Sequence, residues 1–343
     1  MGLNHPHDLQ SWSQWQTSQH QLLNRARQLR HRATSQQLIL ELPTDVPAQL
    51  LVALDVVDGP KADRLLSPLN DLATATLSER PTAKPRPGMR RVPQSVTLES
   101  MKVLLPGVRA VISHGHYESA GFVAHCWAEE TEHAQLIVQH GLLTPFQPPL
   151  PEHAHLLAWS AADAEFWASG RDDVSATVVG SQLLADAAAS PAATAGRDRP
   201  PAYLGQLHGA ELPRRGMARA AFTFCRDNNA TYRPHPSEID KLSRAQHALW
   251  ERRGITIDRR GTPLREHNGP VVAAFSTGVL EAAVRGVPSF VHYPEAPMWL
   301  AEFWDRYGMK QWGEEPTPAP WTGADPAAAI RAAVMDVIGR NNG

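Results

Sequence analysis

From Gly107 onward the apolar positions fall into short runs separated by longer amphipathic stretches. Residues 108–113 read as a buried strand ending in His114-Gly115-His116, and residues 119–130 have helical spacing. A second strand over 134–139 ends in His140-Gly141. After a proline-rich loop over 144–151 come a strand at 155–160, a helix at 161–169 and a strand at 174–180. Strands alternating with covering helices predict a parallel sheet of the α/β class. Residues 183–201 are Ala-rich and close in Gly-Arg-Asp-Arg-Pro-Pro, which predicts a helix and then a linker.

A second series starts at 202–207 and continues through the apolar run 221–225 and a short β segment at 230–232. It goes on with a helix over 238–252, β segments at 255–257 and 271–275, a helix from 279 and a strand at 289–293. Two helices near 297–306 and 325–339 end it. Ahead of Gly107 the pattern is less regular. Leu9, Trp12, Trp15, Leu22, Leu23, Ala26 and Leu29 predict one or two amphipathic helices over 7–37. Residues 38–42 and 50–57 read as strands, and the Pro- and Arg-rich stretch 79–94 as an exposed loop. The chain thus divides into a helical segment at 1–37, a first Rossmann-like domain at 38–198 and a second at 199–343.

The length of 343 residues suits two domains. A net charge of −2, from 33 basic and 35 acidic residues, speaks against a nucleic-acid binder, whose basic patch would show in the total. Cys126 and Cys225 form no CxxC pair, so neither a disulfide framework nor a thiolate zinc site is indicated, and a reducing cytoplasm is the simplest compartment. No run of about 18 apolar residues predicts a membrane span, and the first twenty residues lack the basic and apolar regions of a secretory leader. The cluster Arg25, Arg27, Arg30, His31, Arg32 reads as a solvated helix face, or as a peripheral contact with acidic lipid.

Candidate chemistry concentrates at strand-to-helix turns. His235 precedes Pro236 and must be extended; Pro236 then suits the first turn of a helix, with Ser237 as a cap. His235 is thereby aimed at a helix N-terminus, where a phosphate would lie; an exposed His in a capped turn is the plainer reading. Ser276, Thr277 and Gly278 join an apolar strand to a helix and suit either an anion pocket or an ordinary N-cap. Glu281 stands one turn into that helix, four residues before Arg285, an ordinary i,i+4 ion-pair spacing. His140, at the carboxyl end of a strand, is a candidate general base or orienting group. His114, His116 and Glu118 are the other candidates for that base. No HExxH, Asp-x-Asp or GxGxxG is present, so neither a metal site nor an NAD enzyme is predicted.

The order of these pieces resembles the donor-binding half of GT-B glycosyltransferases: Arg233-Pro234-His235-Pro236-Ser237-Glu238, then Phe275-Ser276-Thr277-Gly278, then Glu281 with Gly286 and Pro288. Bacterial sialyl- and polysialyltransferases and CDP-glycerol glycerophosphotransferases are similar in style, and Gln139-His140-Gly141 is similar to the His-Gly turn of teichoic-acid and capsule transferases. The resemblance covers about residues 200–295, and 108–185 more loosely. It implies two Rossmann-like domains facing a cleft. It also implies a nucleotide-activated donor and a glycan or polyol acceptor in cell-surface polysaccharide or glycoconjugate synthesis. Metal-independent transfer would then need no cofactor. His235, Pro236, Ser237, Ser276, Thr277 and Gly278 would hold the donor phosphates, and Glu281 the ribose. The alternatives are a non-hydrolysing nucleotide-sugar 2-epimerase and a non-catalytic nucleotide-sugar-binding subunit. Epimerases of that kind carry Asp-Ser-Gly-Gly and Thr-Glu-Arg-Pro-Glu, where this chain has Phe-Ser-Thr-Gly and His-Tyr-Pro-Glu-Ala.

Overall fold

Leu50-Leu-Val-Ala-Leu54 is apolar at every position, and the computed structural model shows why. Leu50, Val52 and Leu54 enter one hydrophobic cluster, while Leu51 and Ala53 enter another on the opposite face. Only a strand covered on both sides requires this. The structure describes residues 2–19, 38–81, 86–93, 96–192, 196, 199–261, 263–320 and 325–340. The predicted helical continuation over 20–37, with its basic cluster, lies outside them.

The described residues form two compact units, one within residues 2–182 and 325–340, the other within residues 183–320. In the first, helix α1 (Leu9–Gln19) precedes strands β1 (Ile39–Pro43) and β2 (Leu50–Leu54), helix α2 (Pro60–Leu66), and strands β3 (Thr74–Ser78) and β4 (Met89–Arg91). Helix α3 (Leu98–Leu104), β5 (Ala110–Ser113), α4 (Ser119–Thr131), β6 (Ala134–Val138), β7 (His155–Ala158), α5 (Ala161–Ala168) and β8 (Ser175–Val178) follow. The sheet order is β4-β1-β3-β2-β5-β6-β7-β8, with β1 antiparallel to both neighbours and the pairs from β3 to β8 parallel. The order reverses between β2 and β5.

Helix α6 (Gln182–Ala188) leads into the second unit. There β9 (Ala202–Leu204), α7 (Arg214–Asp227), β10 (Thr231–Arg233), α8 (Lys241–Arg252), β11 (Thr256–Ile257), β12 (Val271–Ala273), α9 (Thr277–Val284), β13 (Ser289–Val291) and α10 (Met298–Arg306) build a wholly parallel sheet with its helices. Its order is β11-β10-β9-β12-β13, so the reversal lies between β9 and β12. The last helix, α11 (Pro326–Arg340), belongs to the first unit, where Ile330, Val334 and Ile338 join the cluster of Leu50, Val52 and Leu54.

The apolar run 221–225, left unassigned from the sequence, is helical: Met217, Ala220, Ala221, Phe224 and Cys225 recur at three- and four-residue spacing along α7, a period that a five-residue window hides. Two sequence expectations are corrected. The helix expected from Glu238 begins at Lys241, because the Asp240 carboxylate accepts from the N–H groups of Leu242 and Ser243, each at 2.9 Å. Pro236 and Ser237 therefore lie in a turn before the helix, where the Glu238 N–H donates to the carbonyl of His235 at 2.8 Å. The stretch 79–94 is not all loop, since Met89–Arg91 pairs on β1 as a charged edge strand and Arg91 binds the buried Glu41 at 2.8 Å. Its residues 82–85 and 94 lie outside the described ones.

Candidate functional site

In an open parallel sheet, ligands gather beyond the carboxyl ends of the strands, at the point where the order reverses. In the second unit that point is served by the segments after β9, β10 and β12. The Gln206 side chain, just past β9, accepts from the Phe275 N–H past β12 at 3.1 Å and so ties two of these segments together. Ser276 is extended and caps α9, its hydroxyl accepting from the Gly278 N–H at 3.1 Å, and Thr277 is the first helical residue. The Val279 N–H donates to the Ser276 carbonyl at 3.1 Å, and the positive end of the helix dipole at this start suits an anion.

Gly278 has a packing reason. A Cβ there would stand 2.5 Å from Leu204 Cδ1 and 3.1 Å from Leu264 Cδ2, so the missing side chain lets α9 close on the end of β9. Gly286, at φ 76°, is the left-handed residue after the end of α9, and the Pro288 carbonyl accepts from Val271 N–H at 2.9 Å at the start of β12. Arg285 spends its guanidinium on the carbonyls of Ser190, Leu264 and Arg265. Glu281 lies one turn into α9.

His235 is solvent-facing, and its Nδ1 accepts from the Ser237 N–H at 3.1 Å, which leaves the proton on Nε2 as an outward donor. Its ring stacks on that of His208, from the β9 segment, with centroids 3.8 Å apart. Partial desolvation in the stacked pair lowers both imidazoles, His208 to about 4 with help from its neighbour, while Glu238 opposes the shift at each. Beneath them lies Glu238, 4% exposed. One carboxylate oxygen accepts from the N–H groups of Leu207 at 3.0 Å and His235 at 3.3 Å. The other accepts from the Tyr232 hydroxyl at 2.9 Å and is 3.0 Å from His247 Nε2. Burial alone would raise this carboxyl, but the four partners together hold it below its ordinary value. Glu238 thus fixes the β9 and β10 segments to each other.

In the first unit, neighbouring strands deliver Glu79 after β3, Asp55 after β2, His114 after β5 and His140 two residues after β6 to one sheet edge. Asp55 accepts from Gly121 N–H at 3.1 Å, in the first turn of α4. Burial pushes its carboxyl up to about 6, with Glu118 and Glu79 adding to the rise and Gly121 and Lys61 opposing it. Lys61, on α2, is lowered chiefly by burial against the pull of Asp55 and Glu118. His114 and His140 lie ring to ring, centroids 4.9 Å apart. Burial and the nearby Lys61 push His114 down to about 4, while burial and then His114 hold His140 well below its ordinary value. His114 Nδ1 pairs with the Val138 carbonyl at 3.1 Å, whereas His114 Nε2 and His140 Nδ1 are buried without a partner. Glu118 is exposed at the N-cap of α4. The turn at His140 is held rigid by Gln139, whose side chain reaches Gly141, Asp163 and Trp159 N–H at 2.9, 3.0 and 2.7 Å.

The structure separates His114 from His116. His116 turns instead to His125, with ring centroids 4.9 Å apart, and lines a cavity of about 390 Å³. Sequence reasoning missed Gln206, His208, Lys61 and the roles of Glu238 and Asp55. The signal for Asp55 and Gln206 was their place directly after an apolar strand; Glu238 was hidden as the presumed start of a helix. Among the described residues no three His, Cys, Asp or Glu side chains converge to hold a metal ion, and no helix is long and apolar enough to cross a membrane.

No protein-family model matches the chain, and no curated protein matches it. Among solved structures, the UDP-GlcNAc 2-epimerase of Methanocaldococcus jannaschii in complex with UDP-GlcNAc and UDP is similar with a TM-score of 0.53 at 12% identity, over 85% of this chain and 100% of that one. A UDP-N-acetylglucosamine 2-epimerase from Rickettsia bellii gives 0.48 at 8% identity, over 86% and 97% of the two chains. A glycosyltransferase from Rickettsia africae gives 0.39 at 11% identity, over 86% and 94%. With the two sheet orders, the first of these likenesses establishes the fold: α/β, with two Rossmann-like units of GT-B-like type.

Proposed function

We propose that this chain is a nucleotide-sugar-using enzyme of the GT-B type that transfers an activated sugar or polyol phosphate from its donor to a hydroxyl of a glycan or polyol acceptor. The donor diphosphate rests on the carboxyl edge of the second sheet. Ser276, Thr277 and the positive start of α9 face it, and His235 donates from Nε2. Pro236 and Ser237 set the turn that aims His235, Gly278 lets α9 approach, and Glu281 takes the ribose hydroxyls.

The acceptor hydroxyl is served by the carboxyl edge of the first sheet. A base works best when its pKa lies near the operating pH. Asp55, at about 6, meets that condition better than His140 or His114, both pushed far below neutrality. Asp55 therefore takes the hydroxyl proton as the acceptor oxygen bonds to the transferred group and the bond to the leaving nucleotide breaks, C–O to the nucleoside diphosphate for a sugar, P–O to the nucleoside monophosphate for a polyol phosphate. The charge left on the nucleotide's phosphate is met by the helix start. His114 and His140 act as uncharged hydrogen-bonding groups, and Glu118 helps keep Asp55 basic.

The observation that carries this reading is the order β11-β10-β9-β12-β13, whose reversal brings the Ser276 helix start and the His208–His235 pair to one sheet edge. Calorimetric titration with CMP, CDP, UDP and GDP tests it. One nucleotide should bind, and its affinity should fall in Thr277→Ala and His235→Ala; absence of binding by all four would refute the reading. The likeness to a UDP-GlcNAc 2-epimerase favours a second reading, inversion of a sugar carbon without an acceptor. Inversion at C2 must break the C2–H bond. Deuterium entering C2 of UDP-GlcNAc from D2O without any acceptor would select it over transfer.

A further inference from the structure

The cavity that His116 lines holds none of the residues assigned above: Asp55, His114 and His140 are not part of its wall. It lies within the first unit, flanked by α4, the loop ahead of β7 and the turn ahead of β8. At about 390 Å³ it has room for one small molecule. We propose that it is a binding site for an uncharged sugar unit, distinct from the edge that carries Asp55.

Its floor is apolar and fastened. Pro149, Leu150 and Pro151 are buried. The Arg171 guanidinium donates to the carbonyls of Leu150 at 2.6 Å and Pro151 at 3.1 Å, and to the Asp173 carboxylate. Asp173 in turn accepts from the His153 N–H at 3.1 Å. A surface already fixed in place loses little freedom when a ligand arrives.

The wall above that floor offers both donors and acceptors. His116 is 5% exposed and uncharged, since burial, then His125 and Arg171, push it down to about 3. Its uncharged ring lines the cavity and carries one N–H donor and one lone pair. His125 Nδ1 pairs with the Gln135 side-chain oxygen at 2.8 Å, and Gln135 donates to Glu129 at 2.5 Å, which leaves His125 Nε2 as an acceptor. Glu129 and Glu152 bring exposed carboxylates to the rim. Sugar hydroxyls are each donor and acceptor, and the C–H face of a pyranose is apolar; this cavity presents the matching pair of surfaces.

Charge argues against an anion. Three carboxylates face one guanidinium, and that guanidinium is already committed to Asp173 and two carbonyls. The choice of a sugar rests on the proposed transfer function, in which an acceptor glycan extends beyond the unit that reacts. The binding itself can be tested without that function.

The full chain is titrated by ligand-observed NMR with the methyl glycosides of glucose, galactose and mannose and with N-acetylglucosamine. Glucose 6-phosphate and inorganic phosphate are the anionic probes. At least one neutral sugar should bind, more tightly than either anion, and Glu152→Gln and His116→Ala should each weaken it about tenfold or more, the loss expected for a hydrogen bond left unmade in a partly closed site. If His116→Ala does not fold, the solvent-facing Glu152→Gln decides. No binding of any neutral sugar, tighter binding of phosphate, or affinity unchanged by the substitutions overturns the proposal. Nucleotide titration of the unaltered protein is read separately: nucleotide binding without sugar binding sinks this site alone, and sugar binding without nucleotide binding sinks the transfer reading alone.

Discussion

Glu238→Ala, set beside Glu238→Gln, probes the joint that holds the candidate donor edge. The Glu238 carboxylate takes four hydrogen bonds, from Leu207 N–H, His235 N–H, the Tyr232 hydroxyl and His247. Deleting it leaves those groups without their acceptor. Breaking a buried charged pair costs about 3–5 kcal/mol, much of it the penalty of unpaired polar groups. Glutamine behaves differently. Its oxygen can keep both backbone N–H groups, while its amide faces a hydroxyl and an imidazole, each able to accept, so about 1–2 kcal/mol is expected. The pH dependence separates charge from shape. The folded carboxyl lies below its ordinary value, so its contribution is complete above the unfolded pKa near 4.5 and fades as pH falls through the folded value. Urea unfolding at pH 7 and pH 4, with amide exchange followed at Leu207 and His235, reads the outcome. The alanine variant should be the weaker at pH 7, with both amides exchanging faster. The gap between wild type and the glutamine variant should shrink at pH 4. Equal stability of both variants, or unaltered exchange at the two amides, would refute the account of Glu238 as the fastening of the β9 and β10 segments.

His235→Ala should weaken nucleotide binding by about 1–3 kcal/mol, or roughly 5- to 150-fold, in calorimetry, with the fold retained. Partial desolvation lowers the His208 and His235 imidazoles, and a bound anion favours their charged forms; wild-type affinity should therefore rise as pH falls from 7.5 to 5.5 more steeply than that of His235→Ala. Asp55→Asn should lower turnover by about two to four orders of magnitude and remove the rise of rate through pH 6. Because the folded Asp55 carboxyl is raised to about 6, its protonated form favours folding at low pH and that advantage is lost as pH rises through 6; Asp55→Asn should then match wild type in melting temperature at pH 4.5 and exceed it at pH 7.5. Val334→Ala, at a fully buried position of α11, should cost the first unit about 1–3 kcal/mol in denaturant unfolding, since it removes two methyl groups and leaves a void.

The α/β class and most strands were legible in the chain because burial writes itself locally. A strand covered on both faces must be apolar throughout, as residues 50–54 and 271–273 are, and turns must carry Gly, Pro, Ser or His. The His235 and Ser276 turns were legible for the same reason. The tertiary structure alone decided the rest. β3, Thr74–Ser78, alternates Thr with apolar residues and is a strand because β1 and β2 flank it. The place of α11 depends on which of two apolar sheet faces lacks a cover, and no residue of α11 encodes that choice by itself. The chemistry of Asp55, His114 and His140 likewise comes from being buried beside one another, since a side chain's pKa is set by its solvation and its neighbours rather than by its place in the sequence. His114 and His116 are two residues apart and alike in the sequence, yet only the folded chain sends one to the sheet edge and the other into a cavity, because a turn after a strand rotates successive side chains away from each other.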